Sequence, residues 1–373
     1  MKAAAKKKKP IIVGTFLFFI ILTLVHCFGT DHYPKNIILY IGDGMGTAHI
    51  TAAKIALGTL NLERFSVSGM LTTHSERELK TDSAAAATAL ATGHKTVRRA
   101  VSVSADKQPL KTLFEYAKDG DKSTGVVVTS SVTHATPAAF YAHVADRRRQ
   151  ADIAEQVLNS GLDVLIGGGW SYFIPQSNEG SRRQDNKNLL ASLEDRMPVV
   201  LAYEKLAVAG HRLAALLAPD GLPKSPDRDY SLAALTQAAI EILSKNPQGF
   251  VLMVEGSQID WAAHDQDQEG IIAEMIDFDG AVRAGLDFAQ KHGQTLVIVT
   301  SDHETGGFAV HDGSLKTRQV TETGFTTAGH TATMVPIFAF GPGSSRFSGI
   351  QDNARIGQTL IELLLKRQLK NRN

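Results

Sequence analysis

Five runs of uninterrupted apolar residues mark the chain: NIILYI (36–41), TGVVVT (124–129), LDVLIGG (162–168), GFVLMV (249–254) and TLVIVT (295–300). Continuous rather than alternating hydrophobicity describes strands covered on both faces, the usual state of a parallel sheet. Between them the spacing changes. Within 269–293 the apolar positions are 271, 272, 275, 276, 282, 286 and 289, a helical period that ends at Gly293. Residues 230–245 read the same way. Alternating strand and helix predict a doubly wound α/β fold, a mostly parallel central sheet with helices on both faces. Open sheets of this kind bind ligands beyond the carboxyl ends of their strands. The polar residues that follow each run are therefore where chemistry is expected.

The first 28 residues stand apart from this pattern. Lys2, Lys6, Lys7, Lys8 and Lys9 precede IIVGTFLFFIILTLVHCFG, which gives way to polar TDHYPKN. A basic start and an apolar run of about 18 residues predict either a cleaved export signal or a short membrane anchor. The expected organisation is thus residues 1–28 as signal or tether and 29–373 as one catalytic domain, exported to a periplasmic or extracellular space. Cys27, the single cysteine, ends the run in LVHC; a lipoprotein processing site has a small residue where His26 stands. Without other cysteines the domain forms no internal disulfide. The formal charge of +1 becomes about −4 once the five leading lysines are set aside, leaving 34 basic against 38 acidic residues. That balance argues against a nucleic-acid partner, which calls for a basic domain.

The residues after the strands form a series. NIILYI leads to GDGMG with Asp43. TGVVVT leads to SSVTHATPAAFYAHVADRRRQ, with His134, Thr136, His143 and Arg147. GFVLMV leads to EGSQIDWAAHDQD, with Glu255, Asp260, Trp261 and His264. TLVIVT leads to SDHETGG, with Asp302 and His303, and His330 precedes a further apolar run. Taken singly, most have plain readings. GDGMG lacks the full dinucleotide spacing and fits a tight turn equally well. Asp260 and His264, four apart, share a helix face and suit either one ion or an exposed pair. His143 and His330 alone suit structural histidines. Asp302-His303 and Glu255 are less ambiguous, because burial beside an apolar strand is costly without partners.

As a set, Asp43, Asp260 and Asp302 with His264, His303 and His330 offer six mixed oxygen and nitrogen ligands, suited to two zinc ions. Glu255 and Thr136, with His134 nearby, add a harder third site of the magnesium kind. A pair of cations about 4 Å apart is a common clamp for in-line phosphoryl displacement.

Six segments in order, YIGDGMG, TDSAAAATALATG, THATPAAFYAHVADR, VEGSQIDWAAH, VTSDHETGG and GHTATMVPIFAFGPG, resemble the alkaline phosphatases, in particular the shorter bacterial members. The resemblance covers about residues 35–345. It implies hydrolysis of phosphate monoesters, with small phosphorylated metabolites as substrates. By the same resemblance Ser83 is the phosphorylated nucleophile and Arg147 clamps phosphate oxygens. Asp260, His264 and His330 hold one zinc; Asp43, Asp302 and His303 hold the other. Asp43, Thr136 and Glu255 hold the third metal. His134 and Trp261 differ from the aspartate and lysine of the enteric enzyme, which bears on that third metal. The short interval between His303 and His330 lacks an insertion that longer members use at a dimer contact, so the resemblance leaves both a homodimer and a monomer open.

The stretch KTDSAAAATALATGHKT (80–96) fits this reading. A serine at a helix start lies where free amides and the helix dipole favour an anion. Alanines behind it let that helix end press close to its neighbours, and Asp82 would orient the arginine. Ser83 followed by alanines does not match the sulfatase pattern, and a diesterase of this superfamily would carry threonine there and no arginine.

Overall fold

The computed structural model describes residues 33–206 and 210–372. The expected export segment, with Cys27, lies outside them. Among the described residues no helix is long and apolar enough to cross a membrane.

The strands are β1 Asn36–Gly42, β2 Val67–Thr72, β3 Ser123–Ser131, β4 Val164–Gly168, β5 Val199–Val200, β6 Leu213–Leu216, β7 Phe250–Gly256, β8 Thr295–Thr300, β9 Glu304–Thr305, β10 Phe308–Ser314, β11 Gln319–Phe325, β12 His330–Thr331, β13 Val335–Phe340 and β14 Gly349–Asp352. Ten of them form one sheet in the order β14-β2-β13-β8-β1-β7-β3-β4-β6-β5. The five apolar runs are its centre: β8, β1, β7, β3 and β4 lie side by side and pair in parallel. Only β13 runs against its neighbours, β2 and β8.

The helices longer than one turn are α1 Thr47–Leu57, α2 Ser83–Thr92, α3 Leu113–Lys118, α4 Ala135–Ala138, α5 Gln150–Val157, α6 Leu189–Glu194, α7 Leu232–Leu243, α8 Gln258–His264, α9 Gln268–His292 and α10 Asn353–Arg372. They cover both sheet faces. Ile37, Leu39 and Ile41 of β1 pack with α2, α3, α5 and α10; Ile38 and Tyr40 of the same strand pack with α7 and α9. A two-residue period thus feeds two cores from one strand. The buried Tyr40 hydroxyl is satisfied by donating to the Ala281 carbonyl at 2.9 Å. Gly293 ends α9 with φ 67°, a left-handed conformation that suits glycine.

The alanine-rich helix α2 is buried over all ten residues. It has no polar face to give away, because α10 crosses it from outside. A Cβ on Gly357 of α10 would lie 2.4 Å from the Ala89 carbonyl and 2.7 Å from the Leu90 carbonyl. Small side chains on α2 therefore serve close approach on its flank as well as at its first residue. Asp82 caps the helix, its Oδ1 accepting from the Ala85 amide at 3.1 Å.

Candidate active site and metal centre

Each central strand ends in a tight connection, and the connections deliver the polar residues to one edge. Asp43 follows β1, Thr136 lies in α4 after β3, Glu255 ends β7, Asp260 and His264 stand four apart on α8, and Asp302 and His303 follow β8. His330 begins β12, which pairs with β9 across His330 and Thr305.

Three groups of ligand atoms converge: Asp260, His264 and His330; Asp43, Asp302 and His303; Asp43, His134 and Glu255, with all offered atoms in a group within 4.8 Å of one another. The second group reaches Ser83. The His303 Nε2 is 3.2 Å from Ser83 Oγ, 3.2 Å from Asp302 Oδ2 and 3.5 Å from Asp43 Oδ1. Asp43, Asp302 and His303 are fully buried, and Ser83 nearly so.

The proton positions show what these atoms lack. His264 Nδ1 lies 2.6 Å from the Ala328 carbonyl and His330 Nδ1 lies 3.1 Å from the Thr81 carbonyl. Carbonyls only accept, so the protons belong on Nδ1 and each Nε2 is a lone pair. Those two Nε2 atoms face each other at 3.2 Å, and both lie within 3.7 Å of Asp260 Oδ1. His303 repeats the arrangement. The Thr305 hydroxyl donates to Asp260 Oδ1 at 2.5 Å, which leaves its oxygen to accept from His303 Nδ1 at 3.2 Å. The Nε2 of His303 then points a lone pair at two carboxylates. Both oxygens of Asp43, Oδ2 of Asp302, Oε1 of Glu255 and Oγ1 of Thr136 are buried with no hydrogen-bond partner. Facing lone pairs and orphaned anionic oxygens are each costly, and divalent cations among them resolve both. The donor set fits metal.

The electrostatics agree. Burial, then the charges of Asp302, Asp260 and Glu255, hold the Asp43 carboxyl far above its usual range. Burial raises Asp302, Asp260 and Glu255 too, the last to about 7. Burial, helped by Arg147, pushes His134 down to about 3, and burial, helped by the nearby His303 imidazole, pushes His330 down to about 4. Carboxyls whose charge is disfavoured by burial and by one another, beside imidazoles shifted towards the neutral form, gain most from a cation among them.

Arg147 stands beside this centre. Its Nη2 donates to His134 Nε2 at 2.9 Å, and Nη1 is 3.6 Å from Asp82 Oδ2. The Asp82 carboxylate is mainly occupied elsewhere, by the Ala85 amide and, at 3.2 and 3.0 Å, the Arg99 amide. Trp261 meets His134 edge-on at 6.2 Å. All residues expected from the sequence thus lie in one assembly. His143 does not join it; it bonds the Ser102 carbonyl and approaches Glu115.

Four contributors escaped the sequence reading. Thr305 joins two ligand groups; its signal was a place two residues beyond His303 on an extended segment. Ser257 and Ser130 donate to Glu255 Oε2 at 2.6 and 3.3 Å. Glu304 braces the paired strands β9 and β12 by accepting from the Gly307 and Phe308 amides and the Thr331 hydroxyl.

A buried hydroxyl beside clustered cation ligands at a strand edge defines a metal-dependent hydrolase centre, and comparison with known proteins gives its kind. The sequence model of the alkaline phosphatase family matches residues 34–315. Alkaline phosphatase 3 of Bacillus subtilis is 33% identical, with 90% of each chain covered. Streptomycin-6-phosphate phosphatase of Streptomyces griseus is 35% identical over 88% of this chain and 90% of that protein. The structure of alkaline phosphatase from the Antarctic bacterium TAB5 superposes with a TM-score of 0.82 at 39% identity, covering 90% of this chain and 98% of that one. The chain belongs to the alkaline phosphatase family and is a metal-dependent phosphomonoesterase.

Proposed function

We propose that Ser83 is the nucleophile of a two-step displacement and that the substrates are small phosphorylated metabolites of varied alcohol. The observation that carries this is the Ser83 hydroxyl, first residue of α2, 3.2 Å from an unprotonated His303 nitrogen and inside the ligand cluster. In the first step a bond forms from Ser83 Oγ to phosphorus while the bond to the alcohol oxygen breaks. In the second, water takes the place of Ser83 on phosphorus and inorganic phosphate is released. Asp260, His264 and His330 would hold one zinc ion, and Asp43, Asp302 and His303 another. Asp43, Glu255 and Thr136 would hold a third, harder ion such as magnesium. Cations so held supply a lowered pKa for coordinated hydroxyl groups and positive charge at the entering and leaving oxygens.

The protein's own groups do the rest. The amides of the first turn of α2 favour a phosphoryl group on the first residue. The Arg147 fork is placed to bind two phosphate oxygens, with His134 and Asp82 setting its orientation. Thr305 keeps the proton of His303 on Nδ1. His134, an imidazole at the third group, makes that site's metal the least fixed of the three; a TAB5 alkaline phosphatase with a histidine changed to aspartate is described with Mg bound in its M3 site. Residues 1–28 would direct export, with 29–373 as one catalytic domain. Side-by-side turnover of p-nitrophenyl phosphate and its bis ester tests the reading. A strong monoester preference is expected, and a strong diester preference contradicts it.

A further inference from the structure

The edge of the sheet opposite the active site carries a different chemistry. The strands begin there, and the described chain enters it at Tyr33. The Lys35 and Asn36 amides donate to the Gln294 carbonyl, and Lys122 Nζ donates to the carbonyls of Lys35 and Gln248 at 2.7 and 2.5 Å. These bonds tie four connections into one surface. The end of α10 lies across them: Lys366 Nζ sits 5.8 Å over the Tyr33 ring, and Gln368 donates to the Tyr116 carbonyl at 2.8 Å.

The surface is basic. Lys35, Lys245, Lys291, Lys366 and Arg367 belong to it, with Lys122 buried beneath them, against Asp121, Asp119, which pairs with Lys111, and Asp163, which pairs with Lys118 and Arg212. A body that carries a net negative charge has therefore gathered cations at one pole. Arg367 and Lys122 share the wall of a cavity of about 180 Å³ with Asp119, Asp121, Gln248 and Gln368, and Arg367 Nε is buried there without a partner. The Lys122 ammonium has a third donor beyond its two carbonyls. Burial, then the charges of Arg367 and Lys35, lowers it to about 8. Beside these cations, Leu365 and Leu369 of α10 are 37% and 62% exposed.

We infer that this pole is a docking face for a bilayer containing anionic phospholipid, with lipid phosphates drawn to Arg367, Lys366 and Lys291 and the two leucines entering the interface. Three observations select a membrane over other polyanions. Lys366 and Arg367 on α10 stand with bases from the neighbouring connections, the kind of cluster that an anionic leaflet attracts. Exposed leucines among them add apolar contact that a phosphate backbone does not need. The chain also joins this pole at Tyr33, and the preceding sequence is a lysine cluster and an apolar run. The strand length, seven residues in β1 or about 20 Å, separates the pole from the active site, which stays open to solution.

The test is flotation of the full chain with phosphatidylcholine vesicles, pure or with about one-third phosphatidylglycerol. Wild type is compared with the double variant Lys366→Gln/Lys291→Gln, which keeps the same N-terminus. The preference for anionic vesicles should fall on the order of twentyfold, about fivefold per charge removed, with p-nitrophenyl phosphate turnover unchanged as the check on folding. Leu369→Ser should weaken binding to both vesicle types. An unaltered preference in the double variant would overturn the proposal, as would displacement from the vesicles by single-stranded RNA at lower concentration than by free phosphatidylglycerol.

Discussion

Two clusters of buried carboxylates, built from neighbouring parts of the chain, differ in one respect. Under the loop before α7, Glu274 and Asp277 of α9 surround the fully buried side chain of Arg228, with Nη2 2.7 Å from Asp277 and 3.5 Å from Glu274. Their remaining capacity is taken up by the Ser225 amide at 2.6 Å and the Leu232 amide at 3.1 Å. At the strand ends, Asp43, Asp302, Glu255 and Asp260 are buried as deeply, but their nearest arginine, Arg147, is turned to Asp82 and His134. Burial raises the carboxyl pKa in both places. Only one cluster contains its own counter-charge. A buried acid with an internal cation is architecture; buried acids without one, facing the lone pairs of three histidines, are a site for external cations.

Experiments can break that contrast in order of size. Ser83→Ala should lower monoester turnover by about 10⁴-fold or more, with bound metal retained by elemental analysis; near-normal turnover would remove the nucleophile from the account. Arg228→Met should cost about 3–5 kcal/mol of unfolding free energy by leaving two acids unpaired, and the metal dependence of activity should not move. If the loss shrank on chelation, the two clusters would not be independent. Chelation of the wild type should lower apparent stability by roughly 3 kcal/mol per site when the ion is in about hundredfold excess over its dissociation constant. The Arg228 variant should lose the same amount. Thr305→Val keeps the shape and removes the hydroxyl between Asp260 and His303; metal affinity should fall about 10- to 100-fold, read by competition with a chromogenic chelator.

The smallest effect is in pH. In chelated protein Glu255 titrates near 7 when folded, against 4.5 for the unperturbed group. Between those values the folded state holds a proton that the unfolded state has released, so stability falls as pH rises through the window. Restoring the cation favours the charged form and should abolish that fall. Urea denaturation at the two ends of the window, with and without metal, reads the slope; equal slopes would mean that Glu255 does not face the ion.

Much of this was legible in the chain. The five buried strands were continuous apolar runs because the sheet is covered on both faces, and α9 showed its period over its full length. The candidate ligands were legible because all but His330, which lies just ahead of a run, follow a run whose end is fixed. What escaped has physical reasons. Strand β2 and the hairpin β10–β11 are partly exposed and short on apolar residues, so no run announces them. Thr305 looks like any turn threonine until β12 places His330 opposite. The alanines of α2 were read for the pressure at Ser83, whereas the crossing by Gly357 of α10, more than 260 positions away, needed the fold.

Anomalous diffraction at the zinc edge, on crystals of the purified chain, addresses the central contrast most directly. Two strong peaks are expected beside Ser83, one bounded by Asp260, His264 and His330 and one by Asp43, Asp302 and His303, and none near Arg228. Density without anomalous signal between Asp43 and His303, in protein that hydrolyses p-nitrophenyl phosphate at full rate, would contradict it.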